Sequence, residues 1–138
     1  LLSITGSPPS IRDGKEGRVA YRFFTKQHPY LTKLLEIFYL NKEKIIPDSL
    51  KLNPLILSVW YMDDGSKCGN CDIYLNTQQF RLEYQLFLID CLGELGLESR
   101  LNKDKKYYRI RFLKNSLFKL KQLISPYIIP SMKYKIEL

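Results

Sequence analysis

Residues Pro54 to Gly65 read PLILSVWYMDDG, a mostly apolar run that closes on two adjacent carboxylates, Asp63 and Asp64, and a glycine. Proline suits the first turn of a helix, where its missing N–H would have had no partner, and Asn53 just before it can cap the free amides. The run therefore reads as a helix that starts at Pro54. Its end is harder to explain. The last free carbonyls of a helix carry partial negative charge, so acids in the final turn are disfavoured by about 0.3–1 kcal/mol unless something positive stands close. A cation is the natural counterpart.

Downstream, Ser66–Cys68 and Cys71–Thr77 read as two short strands turning at Gly69-Asn70, with Ile73, Leu75 and Thr77 alternating against Asp72, Tyr74 and Asn76. Leu82, Leu86, Ile89, Leu92 and Leu95 then keep helical spacing up to Gly96. A second hairpin pairs 98–103 with 107–113, turning Tyr108, Ile110 and Phe112 one way and Tyr107, Arg109 and Arg111 the other. A last helix carries Leu117, Leu120 and Ile124 as far as the Pro126 to Pro130 break. Upstream, Ile11 and the strand beginning at Arg18 form a hairpin across Asp13-Gly14-Lys15, and Pro29 opens a helix with Leu31, Leu34, Leu35 and Phe38 on one face. A connector, NKEKIIPDSLKL, leads back to Asn53.

The order is thus strand, strand, helix, and then helix, strand, strand, helix, strand, strand, helix. This is an α+β chain with an imperfect internal repeat: residues 53–138 form one complete αββαββα unit, and residues 1–52 are the ββα remainder of a first. A helix and a hairpin of that first unit are expected to be missing from these 138 residues.

Composition narrows the partner. The 138 residues are enough for one domain with a core, and 45% of them are hydrophobic. Against 14 Asp and Glu stand 22 Lys and Arg, a net +8 spread along the whole chain, which favours a polyanion and above all nucleic acid. No apolar run reaches the roughly 18 residues of a bilayer span, so no membrane span is expected; with a polyanion as the expected partner, no small-molecule substrate is expected either. The chain begins at Leu1, which suggests a processed or incomplete N-terminus. Its wealth of Lys, Ile, Leu, Asn and Tyr is what an AT-rich organellar genome encodes, mitochondrial ahead of chloroplast. Cys68 and Cys71 have the spacing of half a zinc site or of a redox pair, but only Cys91 and His28 remain as further soft ligands, and Cys91 sits in a helical pattern. A turn between strands is the better reading.

The segments VWYMDDG, LNTQQF and PYIIPSMKYK, together with SPPSIRDGKEGRVAYRFFTKQHPYL and KIIP, resemble the LAGLIDADG homing endonuclease and intron maturase family over most of the chain. In that family two such helices lie side by side, and the acid before each final glycine helps hold divalent metal over the scissile phosphates. The resemblance makes Asp64 the metal ligand here, with Mg²⁺ as cofactor if the chain cuts. It also implies that Leu57, Ser58 and Tyr61 belong to the helix-pair interface. Lys44, three residues before Pro47, and Lys135 match basic residues around the family's active centre, although most lysines are merely solvated. Asp63 lies about 100° further round the helix and is a poor second ligand.

The hairpins supply the grip. Two-stranded ribbons fit the major groove, and Arg18, Arg22, Arg100, Arg109 and Arg111 with Asn76, Gln78 and Tyr107 offer phosphate contacts and base-edge donors. The resemblance departs at one point: a single-chain member has two acidic helix ends, and this sequence shows one. The expected function is therefore binding of structured RNA or DNA without cleavage, as in a maturase or an organellar ribonucleoprotein. The alternative is part of a Mg²⁺-dependent, site-specific DNA endonuclease whose first motif lies on other residues or another chain.

Overall fold

In the computed structural model, which describes residues 6–13, 17, 19–69 and 72–137, the chain divides into two units, residues 1–43 and 44–138. The first unit holds a hairpin of β1 (Ser10–Asp13) and β2 (Val19–Arg22), with Ile11 opposite Tyr21, and then helix α1 (Pro29–Phe38). The side chain of His28 accepts a hydrogen bond from the Tyr30 amide at 3.1 Å, so a histidine caps α1 at its start. Strands β3 (Tyr39–Leu40) and β4 (Glu43–Lys44) flank Asn41 and Lys42, whose φ values of 50° and 67° are those of a type I′ turn. The sequence placed only a connector there, because lysine does not advertise a left-handed backbone.

The second unit runs α2 (Pro54–Asp64), β5 (Gly65–Cys68), β6 (Asp72–Leu75), α3 (Leu82–Glu94), β7 (Ser99–Asp104), β8 (Tyr107–Phe112) and α4 (Leu117–Ile124). This is the expected αββαββα order. Its four strands form one antiparallel sheet in the order β5-β6-β8-β7. Ile73, Leu75, Ile110 and Phe112 point from the sheet into a core shared with Leu57 and Tyr61 of α2, Leu88 and Leu92 of α3, and Leu120 and Ile124 of α4. Strand β6 stops at Leu75, short of the expected Thr77. Thr77 is instead fully buried, with its hydroxyl 3.0 Å from the Gln85 side-chain oxygen, while the Gln85 amide donates to the Phe80 carbonyl at 3.1 Å.

Helix α3 is turned from its expected face. Gln85, Leu88, Cys91 and Leu92 are buried, whereas Leu82 and Leu86 are about half exposed. Leucines line more than one side of this helix, and a polar Gln85 satisfied by Thr77 and Phe80 displaces an apolar pair from the buried face. The end of α3 is as expected: Gly96 has φ 69°, its amide donates to Gly93 O, and the Leu97 amide reaches Leu92 O, which together make a Schellman motif.

Candidate nucleic-acid interface

One face of the four-stranded sheet lies on the core; the other carries Ser66 and Cys68, Asp72 and Tyr74, Tyr107, Arg109 and Arg111, and Arg100, Asn102 and Asp104. The register fixes this grouping, pairing Ser66 with Tyr74, Tyr74 with Arg111, Arg100 with Arg111, Asn102 with Arg109 and Asp104 with Tyr107. Four of the expected contact residues, Arg100, Tyr107, Arg109 and Arg111, thus share one surface.

Several of them are held by neighbours. The Arg109 guanidinium carbon stands 3.8 Å from the centre of the Tyr74 ring, and Tyr74 is only 5% exposed. Arg111 is tied by a 2.5 Å ion pair to Asp72. Beyond the strand ends, Gln78 donates to Asp104 at 3.0 Å, and Asn76 accepts from the Ser66 hydroxyl at 3.4 Å. Both carboxylates of this face are therefore engaged, one by a cation and one by an amide. Tyr107 is about half exposed, with the Lys106 ammonium 5.1 Å from its ring, and Arg100 is exposed. Arg22 lies in the first unit, its guanidinium 4.8 Å from the Phe24 ring. Arg18, like Cys71, lies outside the described residues.

The acidic end of α2 is built differently from a solvated terminus. Asn53 caps its start through a 2.9 Å bond from the Ile56 amide. At the far end the Lys135 ammonium donates to the carbonyls of Met62 at 2.6 Å and Gly65 at 3.1 Å, and the Asn76 amide donates to Asp64 O at 3.0 Å. Tyr61 in turn donates its hydroxyl to the Lys135 carbonyl at 2.8 Å. The positive group that the two aspartates required is thus a side chain of the protein. Gly65 matters here for space alone: its φ of −72° is ordinary, yet a β-carbon would fall 2.2 Å from the Tyr61 carbonyl and 2.4 Å from its ring.

The expected helix-pair surface needs correction. Leu57, Ser58 and Tyr61 are completely buried within the chain, and Ser58 spends its hydroxyl on Leu55 O at 2.7 Å. Leu55, Ile56 and Val59 form the outward stripe of α2, followed by exposed Asp63. Spacing along an all-round apolar helix leaves its rotation open, and only packing against α4 and the sheet settles it. Lys44 stands with its ammonium 5.2 Å from the Phe80 ring. As a metal site, Asp64 offers one carboxylate, sufficient for Mg²⁺ that takes further ligands from phosphate and water. Among the described residues no three His, Cys, Asp or Glu side chains are grouped to hold an ion unaided.

A one-sided antiparallel sheet whose other face presents arginines, set in αββαββα order, makes this an α+β protein with a basic sheet face. The model of the LAGLIDADG DNA endonuclease family matches residues 1–120, and the chain belongs to that family. It is similar to a cytochrome b mRNA maturase (bI2) of Debaryomyces hansenii, 32% identical over 124 residues, covering 86% of this chain and 47% of that protein. A probable intron-encoded endonuclease of Wickerhamomyces canadensis is 34% identical over 147 aligned positions, covering 94% of this chain and 62% of the relative. The chain thus spans about half to three-fifths of these proteins. The structure of the homing endonuclease I-WcaI bound to its DNA recognition sequence superposes with a TM-score of 0.87 at 30% identity, over 98% of this chain and 66% of that one.

Proposed function

We propose that this chain binds nucleic acid on the free face of its sheet, gripping structured RNA or DNA through Arg100, Arg109, Arg111 and Tyr107, and does not cleave it unaided. The observation that carries this reading is the grouping of those cationic and aromatic side chains on one uncovered surface of a +8 protein. The named relatives and the DNA-bound structural neighbour support the binding part of this reading and fit either outcome for cleavage. Affinity then comes largely from phosphate neutralisation, which requires no catalytic centre.

The second reading, part of a Mg²⁺-dependent endonuclease, is favoured by one observation: Asp64 and its neighbour are kept at a helix end that Lys135 neutralises. Cleavage of a phosphodiester needs metal and generally more than one acidic ligand. In this reading Lys44 and Lys135 assist, and a second carboxylate comes from the missing helix of the first unit, whose ββα remainder is residues 1–52, in the same product or another chain. Relatives encoded in introns fit an organellar origin, and we place the protein in mitochondria ahead of chloroplasts.

The two readings separate in one assay of the 138-residue chain on labelled duplex DNA and a folded intron RNA, with and without Mg²⁺. Binding without strand scission is expected; site-specific double-strand cleavage by the isolated chain would overturn the first reading. Asp64→Asn should then abolish cleavage and leave binding nearly intact.

A further inference from the structure

Two neighbours of the readout face do not behave like simple groove contacts. A guanidinium that pointed an edge at the Tyr74 ring would hold its central carbon well beyond 4 Å, so the observed 3.8 Å means that Arg109 lies flat on the tyrosine. Its Nε is buried and has no hydrogen-bond partner, as expected if the group is pressed down along the sheet. Tyr74 is consumed as a support and cannot itself stack on a ligand. Arg109 is partly exposed, and the side of its guanidinium away from Tyr74 is the one left for a ligand, with Tyr107 two residues along the same strand and Asn102 opposite.

Reading a base edge in a duplex groove demands the reverse posture, with the fork extended edge-on, and that would forfeit the cation–π contact with Tyr74. A plane offered face-on suits a base that has left its own stack, since unpaired bases bind on aromatic rings and guanidinium planes. We propose that the Tyr74–Arg109 stack is a platform for an unpaired nucleobase, with Arg111, held by Asp72, and Arg100 beside it for the adjoining phosphates. Tyr74 is a positioning residue and Arg109 the contact. This rests on the nucleic-acid-binding reading above and adds the ligand's chemistry: a looped or single-stranded segment, RNA or DNA.

The test uses the 138-residue chain and a 12-nucleotide RNA carrying 2-aminopurine at its centre, the same sequence as DNA, and each strand paired with its complement. The wild-type chain should brighten the fluorescent base in the single strands, as the base leaves the stack of its neighbours, and bind them more tightly than the paired forms. Arg109→Lys keeps the charge but lacks the plane, and should weaken single-strand binding at least about fivefold, the lower end of the effect of losing one stacked base, while removing the brightening. Tyr74→Leu should do the same wherever circular dichroism shows it folded. Arg100→Ala should weaken single and paired probes alike. Tighter binding of the RNA than the DNA strand would add a 2′-hydroxyl contact to the platform; equal binding would assign recognition to the base. The proposal falls if Arg109→Lys costs as much on paired probes as on single strands, or if the wild-type chain leaves the emission of the single strands unchanged. Binding to duplex alone would overturn the platform and spare the parent reading, whereas binding to none of the probes would overturn both.

Discussion

Gly65 and Tyr61 show how much of this site rests on single side chains. The space a methyl at Gly65 would need is already filled by the Tyr61 carbonyl and ring, so Gly65→Ala should destabilise the chain by about 2–4 kcal/mol, read as a lower urea midpoint. Burial pushes the Tyr61 phenol up to about 12, and the folded chain therefore holds its proton more tightly than the unfolded one. A group with a raised folded pKa contributes fully below its unfolded value and loses that contribution as pH rises. Stability should thus fall between pH 10 and 12 by up to about 3 kcal/mol, and Tyr61→Phe should flatten this part of the curve relative to wild type. Cys91 makes a quieter case: burial, with Glu94 and Asp90 nearby, raises its thiol, so iodoacetamide followed by peptide mapping should label exposed Cys68 first and Cys91 only on unfolding.

At the scale of elements, α2 is the clearest lesson. Its carbonyl end would otherwise leave two aspartates against like partial charge; Lys135 removes the conflict by donating to Met62 O and Gly65 O from 70 residues away in sequence or more. Hydrogen bonds from a charged donor contribute about 1.5–3 kcal/mol when buried, and Lys135 is only partly so. Lys135→Met should therefore cost about 1–2 kcal/mol in thermal or urea melts, whereas a solvated lysine would cost almost nothing. Its effect on melting separates a positioning role from a purely chemical one at Asp64. The cap at the other end is local, and Asn53→Ala should cost about 1 kcal/mol.

Across the whole molecule the two units differ in what they bury. Core residues all fall between Ile46 and Ile136, while among the described residues of 6–43 no side chain is buried, and Ile11, Tyr21, Phe23, Leu35 and Leu40 are half exposed or more. A hairpin and one helix cannot bury enough apolar surface to offset chain entropy. Limited trypsin digestion of the 138-residue chain should therefore cut first before residue 44 and leave a resistant fragment from there on, seen by mass spectrometry. Binding should weaken steeply with salt, and Arg100→Ala should lower the slope of log K against log salt by about one.

The sequence by itself determined the local features. Pro54, Asn53, Gly96 and the alternation of Tyr108, Ile110 and Phe112 against Arg109 and Arg111 encode helix starts, a helix stop and strand faces within a few residues, because each depends on backbone geometry or a period of two. It also carried the family motifs and the net positive charge of the chain. Only the tertiary structure decided which face of α2 and of α3 turns inward, since both helices are apolar on more than one side and their rotation depends on what packs there. Only it decided that Lys135 closes the α2 terminus, that Asp72 and Tyr74 hold Arg111 and Arg109, and that Leu57, Ser58 and Tyr61 are core. Those are contacts between residues 35 or more apart, and spacing along a chain does not encode them.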